Sequence, residues 1–133
     1  MFYYTAISLK SSSSQVIFTP ASLSISSDIF IFSSRTETQG LVLLEAMAQG
    51  IPVVSTAELG TRDVLRDGLG VWIAREDLAD FSEKVVKILR DAEARKSLGE
   101  SGRVYAHGWS ASKQAERMSA FYLSVVSKLQ AEF

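Results

Sequence analysis

The chain has 133 residues, of which 47% are hydrophobic, so it is long and apolar enough to form one domain with a core. Its net charge of −1 gives no indication of a nucleic-acid partner. With no cysteine and one histidine, the sequence excludes a disulfide framework and a thiolate zinc site, and we expect no bound metal.

Residues 1–27 form an atypical serine-rich leader in which Lys10 is the only charged residue. Residues 15–19 favour a short strand, and residues 20–27 favour a short helix with Pro20 in its first turn. The alternating serines also fit a strand or a disordered segment, so we expect the leader to be partly ordered. It lacks the basic start and the cleavage site of a signal peptide, and no apolar run in the chain is as long as a membrane span. We therefore expect a cytoplasmic protein.

Residues 28–54 predict a strand, a loop, a helix and a second strand. Residues 28–32 are apolar, aromatic and β-branched, as is typical of a buried strand. Residues 41–49 are rich in helix formers and are followed by Gly50, a residue type that commonly ends helices. Residues 51–54 again favour a strand. This order predicts a parallel sheet, with a functional loop after the carboxyl end of the first strand.

Two carboxylates, Glu37 and Glu45, flank the predicted start of this helix. Taken singly, each is also explained as a solvated surface carboxylate. The backbone N–H groups from Gln39 to Leu41 would be free donors, and such a helix N-terminus binds phosphate or diphosphate well. Carboxylates accept hydrogen bonds from the vicinal hydroxyl groups of sugars. Together these residues fit a nucleotide sugar, with the sugar near Glu37 and the ribose near Glu45.

Gly60 and Thr61 follow the second strand and lead into a short helix predicted over residues 62–66, with Thr61 as its cap. Two interpretations of this pair stay open: a second wall of the same pocket, or an ordinary turn before a helix. Asp67 and Gly68 then indicate a turn, and residues 71–74 predict a further strand.

Residues 77–91 and 93–106 predict two more helices. The apolar residues of the first recur on one face and are expected to cover the sheet: Leu78, Phe81, Val85, Ile88 and Leu89. We expect Leu98 and Tyr105 to anchor the second helix. His107 at its end is interpreted as a favourable charge for the helix C-terminus rather than as a catalyst.

Residues 110–130 predict the longest helix. Its apolar residues recur at intervals of four, three, four, three and four: Ala111, Ala115, Met118, Tyr122, Val125 and Leu129. Either this stripe folds onto the sheet of the same chain, or it stays uncovered. An uncovered stripe predicts a homodimer through the helix or a partner chain.

The two glutamates have seven residues between them and are followed by a recognisable run: Ala46-Met47-Ala48, Gly50 and Pro52-Val53-Val54. This pattern resembles the signature of the retaining glycosyltransferases of family 4 type, also called group 1 glycosyltransferases, which have the GT-B fold. The resemblance covers residues 26–122. It implies an α/β, Rossmann-like parallel sheet flanked by helices, the C-terminal donor-binding half of GT-B, with a long C-terminal helix. Residues 28–133 would form this nucleotide-sugar-binding domain.

The resemblance also implies roles for individual residues. The first glutamate of the family signature contacts the donor sugar, the second binds the ribose, and backbone amides between them hold the diphosphate; no residue is assigned as catalytic. The family uses no bound metal or other cofactor, and a UDP-sugar is the expected donor. The binding residues so implied are Glu37, Thr38, Gln39, Gly40, Leu41, Val42, Glu45, Gly60 and Thr61.

Three departures from the family pattern bear on activity. The N-terminal acceptor-binding domain and the basic pair that holds the diphosphate are not found, and Leu59-Gly60 stands where the family has two glycines. We therefore expect a chain that is inactive alone and needs the missing domain or a partner chain. The alternatives are a non-catalytic Rossmann-like fragment or binding module, and a flavodoxin-like or receiver-like domain. The Glu37-Thr38-Gln39-Gly40 form is similar to that of glycolipid glucosyltransferases, and this resemblance implies a glycolipid or polysaccharide precursor as acceptor and a membrane-peripheral location.

Overall fold

The computed structural model describes residues 4–7, 27–33, 40–56 and 60–131. In these ranges the strands are β1 (Tyr4–Ile7), β2 (Ile29–Phe32), β3 (Val53–Ser55) and β4 (Val71–Ile73). The helices are α1 (Leu41–Ala48), α2 (Gly60–Val64), α3 (Leu78–Arg90), α4 (Ala92–His107) and α5 (Ala111–Ala131). The strand predicted over residues 15–19 and all but the last residue of the helix predicted over residues 20–27 lie outside the described residues.

The four strands form one sheet in the order β1-β2-β3-β4. β2, β3 and β4 are parallel, and Phe30 is in register with Val53, which is in register with Val71. β1 pairs with β2 in the antiparallel direction, with Tyr4 opposite Phe32. The parallel strands are connected through helices, as the βαβ order of the sequence predicted.

Helices cover both faces of the sheet because successive side chains of a strand point to opposite faces. Phe30 and Phe32 pack with Leu43 and Met47 of α1 on one face. Ile29 packs with residues of α3, among them the fully buried Ile88, on the other. This confirms the predicted α/β, Rossmann-like fold, which is consistent with the C-terminal half of a GT-B protein.

Two local predictions were wrong. Thr61 was expected to cap a helix that begins at residue 62, but α2 begins two residues earlier, at Gly60. Thr61 therefore lies inside the helix, where it is fully buried. Leu78 was expected on the buried face of α3, but it is 82% exposed. It is the first residue of that helix, where the backbone is held by the Asp77 carboxylate, which accepts a hydrogen bond from the Ala79 N–H at 3.1 Å.

α5 is the long C-terminal helix that the sequence predicted. None of its described residues is buried. The interpretation in which its apolar stripe folds onto the sheet of the same chain is therefore wrong, and the stripe is uncovered in this structure. In the part of the chain that the structure describes, no helix combines the length and the apolar character needed to cross a bilayer.

Candidate functional site

The site is organised by the backbone at the start of α1. Gly40 has φ +62°, a left-handed conformation that glycine adopts readily and other residues rarely adopt. Its carbonyl accepts the N–H groups of Leu43 and Leu44, at 3.1 and 3.2 Å, and so begins the helix. The N–H groups of Leu41 and Val42 therefore belong to the first turn, where the helix itself supplies no acceptor.

α2 packs directly against this helix start. The Cγ2 of Thr61 lies 3.6 Å, and the Cβ of Val64 3.9 Å, from the position that a Cβ on Gly40 would occupy. The hydroxyl of Tyr105 donates a hydrogen bond to the carbonyl of Val64, which joins α2 to α4. Gly40 and Thr61, predicted from separate parts of the sequence, are thus brought together, and Gly60 is the first residue of α2.

A groove of about 660 Å³ runs along the outer face of α1. This volume lies in the range usual for small-molecule sites. α1 contributes two of the predicted residues, Leu41 and Glu45, and both are exposed; Leu41 is 58% exposed. The opposite wall comes from α4 and from the turn that follows it. The lining residues are Leu41, Leu44, Glu45, Ala48, Glu100, Arg103, Val104, Ala106, His107, Trp109 and Ser110.

The polar and aromatic groups of the far wall are held in place by contacts of their own. Arg103 donates from Nη2 to the carbonyl of Gln49 at 3.1 Å, which ties α4 to the C-terminal end of α1. The ring of Trp109 lies 6.5 Å from that of Tyr105, and the guanidinium of Arg117 lies 5.9 Å from the Trp109 ring centre. The groove thus joins an exposed carboxylate with cationic and aromatic groups.

The structure groups only part of the predicted site. Glu37, Thr38 and Gln39 lie outside the described residues. Leu41 and Glu45 are exposed, whereas Gly40 is buried and Val42 is half-buried against the core. The predicted roles of all these residues stay predictions.

Sequence reasoning missed the far wall of the groove. Glu100, Arg103, Val104 and His107 have the spacing i, i+3, i+4 and i+7, which places them on one face of a helix. That spacing was a usable signal. It did not reveal that this face borders α1, because the contact joins residues more than fifty positions apart, as in the bond from Arg103 to Gln49.

Fold and site define an α/β protein of the Rossmann-like class with a groove beside the helix that follows β2. Comparison with known families then gives the assignment. The family model described as "Glycosyl transferases group 1" matches residues 17–105, about two-thirds of the chain. The chain therefore belongs to the group 1 glycosyltransferase family.

Curated proteins with several different names are similar to part of the chain. The chain is 39% identical over 84 residues to a D-inositol 3-phosphate glycosyltransferase of Frankia alni, a match that covers 61% of the chain and 21% of that protein. It is 40% identical over 76 residues to a lipopolysaccharide core biosynthesis glycosyltransferase of Rhizobium meliloti, covering 56% of the chain and 22% of the relative. It is 35% identical over 82 residues to a sulfoquinovosyl transferase of Arabidopsis thaliana, a match that covers 59% of the chain and 16% of that protein. The chain thus spans about a fifth of these relatives.

Proposed function

We propose that this chain is the donor-binding part of a glycosyltransferase and binds a nucleoside-diphosphate sugar, with UDP-sugar as the expected donor. One observation carries the proposal. The exposed carboxylate of Glu45 lines a groove of ligand size one turn beyond the first-turn amides of Leu41 and Val42. Four residues of α-helix span about 6 Å, a separation that suits the step from a diphosphate to a ribose hydroxyl.

The proposed arrangement gives each group a task that fits its chemistry. The amides from Thr38 to Val42 hold the diphosphate, because N–H groups at a helix start attract anions. Glu45 accepts hydrogen bonds from the ribose hydroxyls, and Glu37 contacts the donor sugar. Gly40 gives the start of α1 its left-handed turn, and α2, which begins with Gly60 and the fully buried Thr61, supports that start from behind.

The proposed reaction is transfer of a sugar with retention of its anomeric configuration, to a glycolipid or polysaccharide precursor. In it the amides stabilise the negative charge that develops on the departing diphosphate, which is electrostatic catalysis without a cofactor. Neither glutamate attacks the sugar; both position the donor. The location we propose is the cytoplasm, at the membrane surface when the acceptor is a glycolipid.

Activity of this chain alone is not part of the proposal. We propose that an acceptor-binding domain or partner chain completes the enzyme, because the chain spans only about a fifth of the relatives described above. The alternative is a non-catalytic binding module that also needs a partner chain. The uncovered helix α5 supports a partner in both cases.

The test is calorimetric titration of the chain with UDP, GDP, ADP and UDP-glucose. We expect UDP and UDP-glucose to bind, and binding to be lost in Glu45→Ala because the ribose hydroxyls lose their acceptor. Glu83→Ala removes another exposed glutamate, on α3, and should leave binding unchanged. Absence of binding by all four ligands at millimolar concentration would refute the proposal. Nucleotide binding without sugar transfer after an acceptor-binding domain or partner chain has been supplied would favour the non-catalytic module.

A further inference from the structure

The first turn of α2 lies at the same edge of the sheet as the start of α1. α1 follows β2 and α2 follows β3, and these two strands are parallel neighbours, with Phe32 in register with Ser55. Because the carboxyl ends of parallel neighbours meet at one edge of a sheet, the two helices begin side by side. Arg62, the third residue of α2, is therefore close to the proposed donor site.

The packing around Gly40 limits how far Arg62 can be from that site. The Cα of Thr61 lies 3.8 Å from the position that a Cβ on Gly40 would occupy. Consecutive Cα atoms are about 3.8 Å apart, so the Cα of Arg62 is within about 8 Å of the same position. An extended arginine side chain spans most of that distance, so its guanidinium can reach a ligand held at the first turn of α1.

The side chain of Arg62 is available to bind such a ligand. Arg62 is exposed, and within the part of the chain that the structure describes its guanidinium makes no ion pair or hydrogen bond. Arg75, which follows β4 at the same edge, pairs with Asp80 at 3.8 Å. Arg103 borders the groove, but it donates to the carbonyl of Gln49 at the other end of α1. Arg62 thus combines an accessible position with an unengaged positive charge.

The electrostatics of the proposed site require a cation. A diphosphate carries at least about two negative charges, whereas a helix start supplies only about half a positive charge. Glu45, which lines the same groove, adds a further negative charge. Arginine binds phosphate through two parallel hydrogen bonds and stays protonated at all ordinary pH values. A guanidinium beside the start of α1 would therefore supply the charge that the amides lack.

We propose that Arg62 binds the outer, β-phosphate of the nucleotide. This rests on the proposed function, in which the ribose lies at Glu45, one turn into α1. The two phosphates then extend from Glu45 towards the start of the helix, so the β-phosphate lies nearest to Gly40 and to α2. Arg62 contacts it from α2, while the first-turn amides contact the diphosphate from α1.

Calorimetric titration of the full chain with UDP and with UMP tests this contact, because UMP lacks the β-phosphate. Arg62→Ala should weaken UDP binding by roughly ten-fold or more and UMP binding by less than about two-fold. Arg62→Lys keeps the charge but not the paired hydrogen bonds, and should recover part of the lost affinity. Arg90→Ala removes an exposed arginine from α3, on the opposite face of the sheet, and should leave the binding of both nucleotides unchanged.

The outcomes distinguish a failure of this proposal from a failure of the proposed function. If UDP binds to the unmodified chain and not to Glu45→Ala, but binds to Arg62→Ala with unchanged affinity, the role of Arg62 is refuted and the donor site stands. Equal weakening of UDP and UMP in Arg62→Ala would contradict the contact with the β-phosphate. Absence of UDP binding by the unmodified chain would overturn both proposals. Urea unfolding should show that the Arg62 variants are as stable as the unmodified chain, because the position is exposed.

Discussion

Gly99 of α4 lies directly against the backbone carbonyl of Gly50. A Cβ on Gly99 would be only 2.2 Å from that oxygen. One turn along, a Cβ on Gly102 would be 2.9 Å from the Cα of Gly70. α4 therefore packs backbone to backbone on the turns that follow α1 and precede β4, and this contact places its polar face beside the candidate site.

Replacing Gly99 by alanine should destabilise the protein. In an exposed helix this change is favourable by about 1 kcal/mol, but here the new methyl group meets a backbone atom that cannot move aside. Overpacking of this kind costs about 1–3 kcal/mol, so the sign reverses. Urea unfolding measures the change. Ser97→Ala, at an exposed position of the same helix, is the control, and a Gly99→Ala protein as stable as the control would contradict the packing.

Two leucines, one buried on α4 and one exposed on α3, allow the same substitution to be compared inside and outside the core. Leu98→Ala should cost about 2–5 kcal/mol of unfolding free energy, because Leu98 is 5% exposed within the core between the sheet and α3. Leu78→Ala makes the same chemical change at a residue that is 82% exposed and should alter stability by less than about 0.5 kcal/mol. Equal losses in the two variants would contradict the placement of α3.

Gly40→Ala should reduce both stability and nucleotide affinity. Its φ of +62° is unfavourable for alanine, at a cost of about 1 kcal/mol, and relief of that strain would shift the first-turn amides of α1. Gly68→Ala is the matched control, since Gly68 also has a positive φ, +82°, and nothing lies within 4 Å of a Cβ there. We expect similar destabilisation in the control by urea unfolding but unchanged affinity by calorimetry. Reduced affinity in both would point to a global effect.

The interactions of the Asp80 carboxylate make the stability of the fold depend on pH. The Lys84 ammonium, 2.7 Å away, and then the Arg75 N–H, 2.8 Å away, hold the pKa of Asp80 below its ordinary value. A lowered pKa in the folded state means that the stabilisation is complete above the ordinary pKa and is lost as the pH falls through the lowered one. Asp80→Asn should therefore lose stability at pH 7 and less at strongly acidic pH.

Urea unfolding at both pH values, with Glu83→Gln as a control on the same helix, measures this difference. An Asp80→Asn protein whose stability loss is the same at neutral and acidic pH would show that the charge of Asp80 does not matter.

The sequence predicted the elements whose signals are local. β2 and α1 appear where apolar runs and Gly50 indicated them, because burial and helix termination are encoded within a few residues. The sequence wrongly placed Leu78 on the buried face because its spacing continues the apolar face of α3. In the structure this first residue of the helix lies beyond the part that packs on the sheet. The sequence left open whether Thr61 lies beside the start of α1, and it did not reveal the groove between α1 and α4, since both depend on contacts between distant segments.

The most direct test of the central claim, that the start of α1 binds the nucleotide, is a titration with UDP followed by two-dimensional NMR of the ¹⁵N-labelled chain. We predict that the amide signals of Gly40, Leu41, Val42 and Glu45 shift, while those of α3 on the opposite face of the sheet stay in place. Saturating UDP that leaves the α1 signals unmoved, or moves only those of α3, would contradict the account.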